Sequence, residues 1–157
     1  MLALGIDAQK LRLGWAIVSI VGEDAIPVSC GCDVVDGNPG DWIRWWCRSR
    51  FCHDIGLVYV EAPHVGASRR GAVEHAMFIG RVLQQAERQW PDAPVELIQP
   101  GEWKKLVGLP GNAQKAQIMA WAHAAGFDPK TQDAADASGI AAAGVVRNAE
   151  IVRAARA

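Results

Sequence analysis

The sequence predicts an α/β fold in which a mixed five-stranded β-sheet carries helices on its faces. Two observations predict it. Three strand-like apolar runs follow one another at the start of the chain, and from there strand-like runs alternate with helical patterns. Consecutive strands joined by short turns pair antiparallel, whereas strands separated by a helix return parallel.

Each element follows in order. "LALGID" (2–7) is a buried strand, and "LGWAIVSIV" (13–21) is its hairpin return through "AQKLR". "AIPVSCGCDVV" alternates Val and Cys with small or polar residues, the period-two pattern of a third strand. "DGNPG" is turn chemistry. "DWIRWWCRSRFC" has apolar residues at 42, 45, 46 and 52, a helical spacing that buries a Trp-rich face. "IGLVYVEA" is apolar on both faces and predicts a central, covered fourth strand ending at Glu61. "GASRRGAVEHAMFIGRVLQQAERQW" is a long helix, with Ser68 as N-cap and Pro91 beyond its end. "PVELIQP" is a fifth strand, and "GEWKKLVGL" a short helix stopped by Pro110 and Gly111. Asn112 is expected to cap "AQKAQIMAWAHAAG", which Gly126 terminates. One or two Ala-rich helices close the chain, starting near Asp128-Pro129 or Thr131.

With 157 residues, half of them hydrophobic and 21% charged, the chain is expected to form one domain over 1–157. Asp7 interrupts the first apolar run, so neither a signal peptide nor an 18-residue membrane span is expected, and the expected location is the cytoplasm. Cys30, Cys32, Cys47 and Cys52, with His53, match no closed zinc spacing and are read as reduced, packed thiols. His75 and His123 fall within helical patterns and read as packing or surface residues. The net charge of −1 is not by itself the footprint of a nucleic-acid binder. The basic residues nevertheless cluster, as Arg69 with Arg70 and as Lys104 and Lys105 with Lys115, and acids that surround metal ions would leave the outer surface more basic than the sum.

Asp7 and Glu61 both sit at the ends of apolar strands, where sheets of this kind gather their ligand sites. Asp133 and Asp136, three residues apart in "QDAADASGIAAA", share one helical face, and the surrounding alanines let that helix approach the sheet. Singly, Asp7 fits a turn, and Asp133 and Asp136 fit acids favoured by a helix dipole. As an ordered set they point to Mg²⁺ or Mn²⁺, because converging carboxylates repel one another unless cations neutralise them. Two such ions roughly 4 Å apart form a clamp for phosphodiester hydrolysis by water.

That ordered set and the text around it resemble the RuvC-type Holliday junction resolvases of the RNase H-like superfamily. "GIDAQKLRLGWAIV" is similar to their opening strand and hairpin, with Ala8-Gln9 where the family usually has Pro-Gly. "VYVEAPHV" resembles the strand bearing their second acid, and "QDAADASGIAAA" their closing Asp-x-x-Asp. "ELIQPGEWKKLVGLPGNAQKAQI" is similar to the segment leading into a Lys-bearing helix. The likeness runs from residue 2 to about 145. It implies an RNase H-like nuclease domain, possessed of two Mg²⁺ ions per active site (Mn²⁺ as a substitute) and acting as a homodimer on branched, four-way DNA. Asp7, Glu61, Asp133 and Asp136 are the implied catalytic metal ligands, and Lys115 the implied catalytic lysine at the scissile phosphate. His64, Arg69, Arg70, Lys104, Lys105 and Lys115 are the implied DNA contacts. His64 stands where a stacking aromatic is usual, and either Lys104 or Lys105 fills a second basic position. The host implied is a bacterium or a phage-infected cell. The competing readings are a YqgF-type nuclease acting on RNA or flaps, and a non-catalytic module that binds branched DNA.

Overall fold

A computed structural model describes residues 1–9, 11–49, 54–63 and 69–156. Along the chain run β1 (Leu2–Gln9), β2 (Arg12–Val21), β3 (Asp24–Val34), α1 (Pro39–Ser49) and β4 (Ile55–Glu61). They are followed by α2 (Arg69–Gln89), β5 (Val95–Ile98), α3 (Pro100–Leu106), α4 (Lys115–Ala124) and α5 (Gln132–Arg156). The sheet order is β3-β2-β1-β4-β5. β1 pairs antiparallel with β2, and β2 with β3, while β1–β4 and β4–β5 are parallel. This is the predicted mixed five-stranded sheet. Gly22, at φ 64°, makes the tight β2–β3 turn between the paired Val21 and Asp24.

Each face of the sheet has its own core. On one side α1 and α2 cover Leu4, Ile6, Trp15, Ile17, Val58 and Val60. Trp46 meets Trp15 edge-on and stacks on Trp42, with ring centroids 5.5 and 5.7 Å apart. The indoles of Trp15 and Trp42 both donate to Asp33 Oδ2. Trp45 departs from the expected buried stripe and is 56% exposed. Positions 42 and 46 lie one turn apart on the inner face, and 45 falls on its flank.

On the other side α5 lies across β1, β2, β3 and β4, flanked by α3 and α4. Close approach is what its small residues permit. A Cβ on Gly5 of β1 would collide with the α5 backbone at Ala137 and Ala141, and one on Gly14 of β2 with the backbone of Asp133. The Ala-rich ending is one unbroken helix, preceded by Thr131, whose Oγ1 accepts the Ala134 N–H. α4 is capped by Gln114, in a reciprocal box with Gln117, instead of by Asn112. The expected N-cap Ser68, and Cys52 with His53, lie outside the described residues. Among the described residues no helix is long and apolar enough to cross a membrane.

Candidate active site

β1 runs two residues past Asp7, because its antiparallel ladder with β2 continues to Gln9↔Arg12. Its parallel ladder with β4 ends sooner, at Ile6↔Val60. Asp7 is therefore the first residue of β1 beyond its ladder with β4, and Glu61 is the last residue of β4. Asp7 also pairs with Gly14, the residue over which the first turn of α5 packs. Those two constraints bring Asp133 and Asp136 of α5 beside the ends of β1 and β4.

The Asp7 side chain is buried, and its carboxyl titrates well above the usual range. Burial is the largest cause, followed by the charges of Glu61, Asp136 and Asp133, while a hydrogen bond from Gln9 works in the opposite direction. Asp136 is pushed up to about 6, again first by burial and then by Glu61 and Asp133. The hydrogen bond from Gln132 and the charge of Lys104 pull it back. Asp7 and Asp136 thus each feel the charges of Glu61 and Asp133.

Each of the four acids also leans on a donor from the chain. Gln9 Nε2 donates to Asp7 Oδ1 at 2.9 Å, and Gln132 Nε2 to Asp136 Oδ1 at 3.0 Å. The Trp103 indole donates to Glu61 Oε1 at 2.8 Å. Asp133 Oδ2 takes the Cys32 thiol at 3.4 Å and has Arg12 Nε 3.7 Å away. So held, no three His, Cys, Asp or Glu side chains among the described residues close around one metal-sized point. Cys32, expected to be a packed apolar thiol, is instead a polar neighbour of the acids. Burial and the Asp133 carboxylate raise it to about 11.

A cleft of about 780 Å³ opens over this cluster, lined among others by Gln9, Glu61, Lys104, Lys115, Gln132 and Asp136. Of the two candidate lysines only Lys104 reaches the cleft wall, since Lys105 is exposed on the next position of α3. Lys115 enters from the first position of α4. A separate cleft of about 400 Å³ beside Trp42 and Trp45 contains none of the four acids. Arg70 stands apart, paired with Glu74 along α2 at 3.0 Å. Arg69 opens α2, its side chain outside the described set, and His64 lies outside the described residues. The donors Gln9, Gln132, Trp103 and Cys32 were not anticipated. Gln9 alone carried a signal, as a departure from the family pattern.

No family model matches the chain. It is 32% identical over 149 residues to the curated crossover junction endodeoxyribonuclease RuvC of Rhodopseudomonas palustris strain TIE-1, covering 88% of this chain and 83% of that protein. The same values hold for the protein of strain ATCC BAA-98 / CGA009. Among solved structures, Thermus thermophilus RuvC is similar at a TM-score of 0.69, covering 98% of this chain and 97% of that one at 20% identity. T. thermophilus RuvC in complex with Holliday junction substrate reaches 0.76, covering 96% of both chains at 20% identity. The likeness to these structures is one of fold.

Proposed function

The chain belongs to the RuvC family of crossover junction endodeoxyribonucleases, and from that premise we propose how it resolves Holliday junctions. Residues 1–157 act as one nuclease domain, with Asp7, Glu61, Asp133 and Asp136 holding divalent cations, two to a site. The observation that supports this most is the buried Asp7 carboxyl, raised by burial and by three neighbouring carboxylates. A cluster of that kind is relieved by cations, and its all-oxygen donors suit Mg²⁺, with Mn²⁺ as a substitute. Such ions, when bound, lower the pKa of the attacking water and offset charge on the departing 3′ oxygen.

The chain's own residues do the rest. Gln9, Gln132, Trp103 and the Cys32–Arg12 pair each hold one carboxylate oxygen, which orients the acids. Lys115 and Lys104 on the cleft wall meet the charge of the scissile phosphate and its neighbour. Water is the nucleophile, and no side chain becomes covalently attached. His64, Arg69, Arg70 and Lys105 are further DNA contacts in this reading. A second copy docks on α2, where Val73 and Met77 are exposed one turn apart, giving two sites for paired, symmetric nicks.

Synthetic four-way junction, flap, linear duplex and RNA–DNA hybrid, each with Mg²⁺, test the reading. Paired symmetric nicks in the junction are expected, and cleavage confined to the hybrid or the flap would replace the resolvase with a YqgF-type activity. Asp7→Asn should abolish cleavage while junction binding survives. Undiminished cutting by that variant removes Asp7 from the site.

A further inference from the structure

Trp103 is 1% exposed and lies in the core between α3, α4 and α5. Packing alone would be served by any large apolar ring. The indole, however, brings an N–H, and a buried N–H requires an acceptor. Here the acceptor is a carboxylate oxygen, Glu61 Oε1, at 2.8 Å. The approach is built into the opposing helix. Gly139 of α5 faces the indole, and a Cβ there would run into the ring edge. α3 is fixed a second time by Arg147 of α5, whose Nη1 lies 3.3 Å from Glu102 Oε1.

From these contacts we infer that Trp103 is a positioning residue that commits one oxygen of Glu61 and leaves the other to the cleft. The inference rests on Glu61 being a ligand of the nuclease site. The next residue, Lys104, lines the same cleft, with its Nζ 5.5 Å from the Trp103 ring centroid. One short helix therefore sets a carboxylate by a neutral donor and a cation by sequence adjacency. Partners that orient a ligand in this way are typically worth about ten- to hundredfold in metal affinity.

The test separates the hydrogen bond from the packing. Trp103→Phe keeps most of the ring and loses the donor, whereas Trp103→His keeps a donor and loses volume. Mn²⁺ affinity is read on DNA-free protein from the electron paramagnetic resonance of free Mn²⁺, alongside Tm. The expected result is that W103F binds Mn²⁺ about tenfold more weakly than wild type, with a Tm lowered less than that of W103H. W103H should bind Mn²⁺ more tightly than W103F despite a lower Tm. Phe above His in both measurements, or wild-type Mn²⁺ affinity in W103F, overturns the inference.

A double variant covers the case in which W103H does not fold. Adding W103F to Glu61→Gln should cost little Mn²⁺ affinity beyond E61Q alone, because Trp103 is inferred to act on the metal only through the Glu61 carboxylate, and full additivity would count against it. If E61Q itself binds Mn²⁺ and cuts junctions like wild type, the assignment of Glu61 fails. If E61Q is impaired and W103F is not, only the role of Trp103 fails.

Discussion

His75 Nε2 lies 2.7 Å from the carbonyl oxygen of Ala8, so helix α2 holds the backbone immediately after Asp7. A carbonyl only accepts, which makes Nε2–H the donor and fixes the imidazole tautomer or leaves it protonated. The parallel ladder to β4 has already ended at Ile6, and a side chain takes over the restraint. His75→Phe should cost about 1 kcal/mol of stability, the usual net value of such a bond, read as a lower urea midpoint with unchanged slope. His75→Gln should recover part of the loss.

Asp136 titrates at about 6, above the range of an unfolded aspartate, so the folded chain takes up its proton more readily. In metal-free protein, stability present at low pH is therefore lost as the pH rises through the interval from about 4 to about 6. Asp7 shifts in the same direction. Asp136→Asn keeps an acceptor for Gln132 and removes the charge. Its Tm in EDTA should exceed that of wild type at pH 8 and converge with it near pH 4. A constant difference across that span would mean that the charge is not what matters.

With Cys32 at about 11, on the order of one thiol in a thousand is ionised at pH 8. Iodoacetamide should modify Cys32 at less than about a tenth of the rate for a free cysteine peptide, followed by mass mapping. Cys32→Ser preserves a donor to Asp133 and should retain cleavage, whereas Cys32→Val should slow it.

Gly14 lies beneath the first turn of α5, where a Cβ would meet the Asp133 backbone. Gly14→Ala should cost about 1–3 kcal/mol, as overpacking does, and should also displace Asp133 from its neighbours. Calorimetry and junction cleavage should both report it. Gly80 has nothing near a new Cβ but lies one turn from Met77 on the proposed docking face, so Gly80→Ala is the control for stability alone and should not destabilise the fold.

Strands and acids were legible in the sequence because both are written locally. An apolar run bounded by turns marks β1 or β4 wherever it lies, and a charge at its end stands out against the run. Helix edges were less legible. Asn112 looks like a cap in isolation, but the reciprocal fit of Gln114 and Gln117 sets the start of α4. Whether one or two helices close the chain was open in the sequence, and α5 is continuous, with Gly139 and Gly144 sitting where it crosses a ring, Trp103 and Tyr59 respectively. The donors that hold the acids were not legible at all. Cys32 and Asp133 are 101 residues apart in sequence, and Trp103 and Glu61 are 42 apart. No periodicity records a contact that exists only once distant elements have packed.

That separation has a consequence for how the site is assembled. Asp7 and Glu61 leave the ribosome early, but Asp133 and Asp136 sit at the start of α5, and α5 is what completes the second core. A nascent or prematurely terminated chain that stops before α5 holds two of the four acids and has the outer face of its central strands uncovered. In the proposed site a chain without α5 would lack Asp133 and Asp136 together with the helix that covers this face of the sheet, so completing the fold and assembling the site are one event.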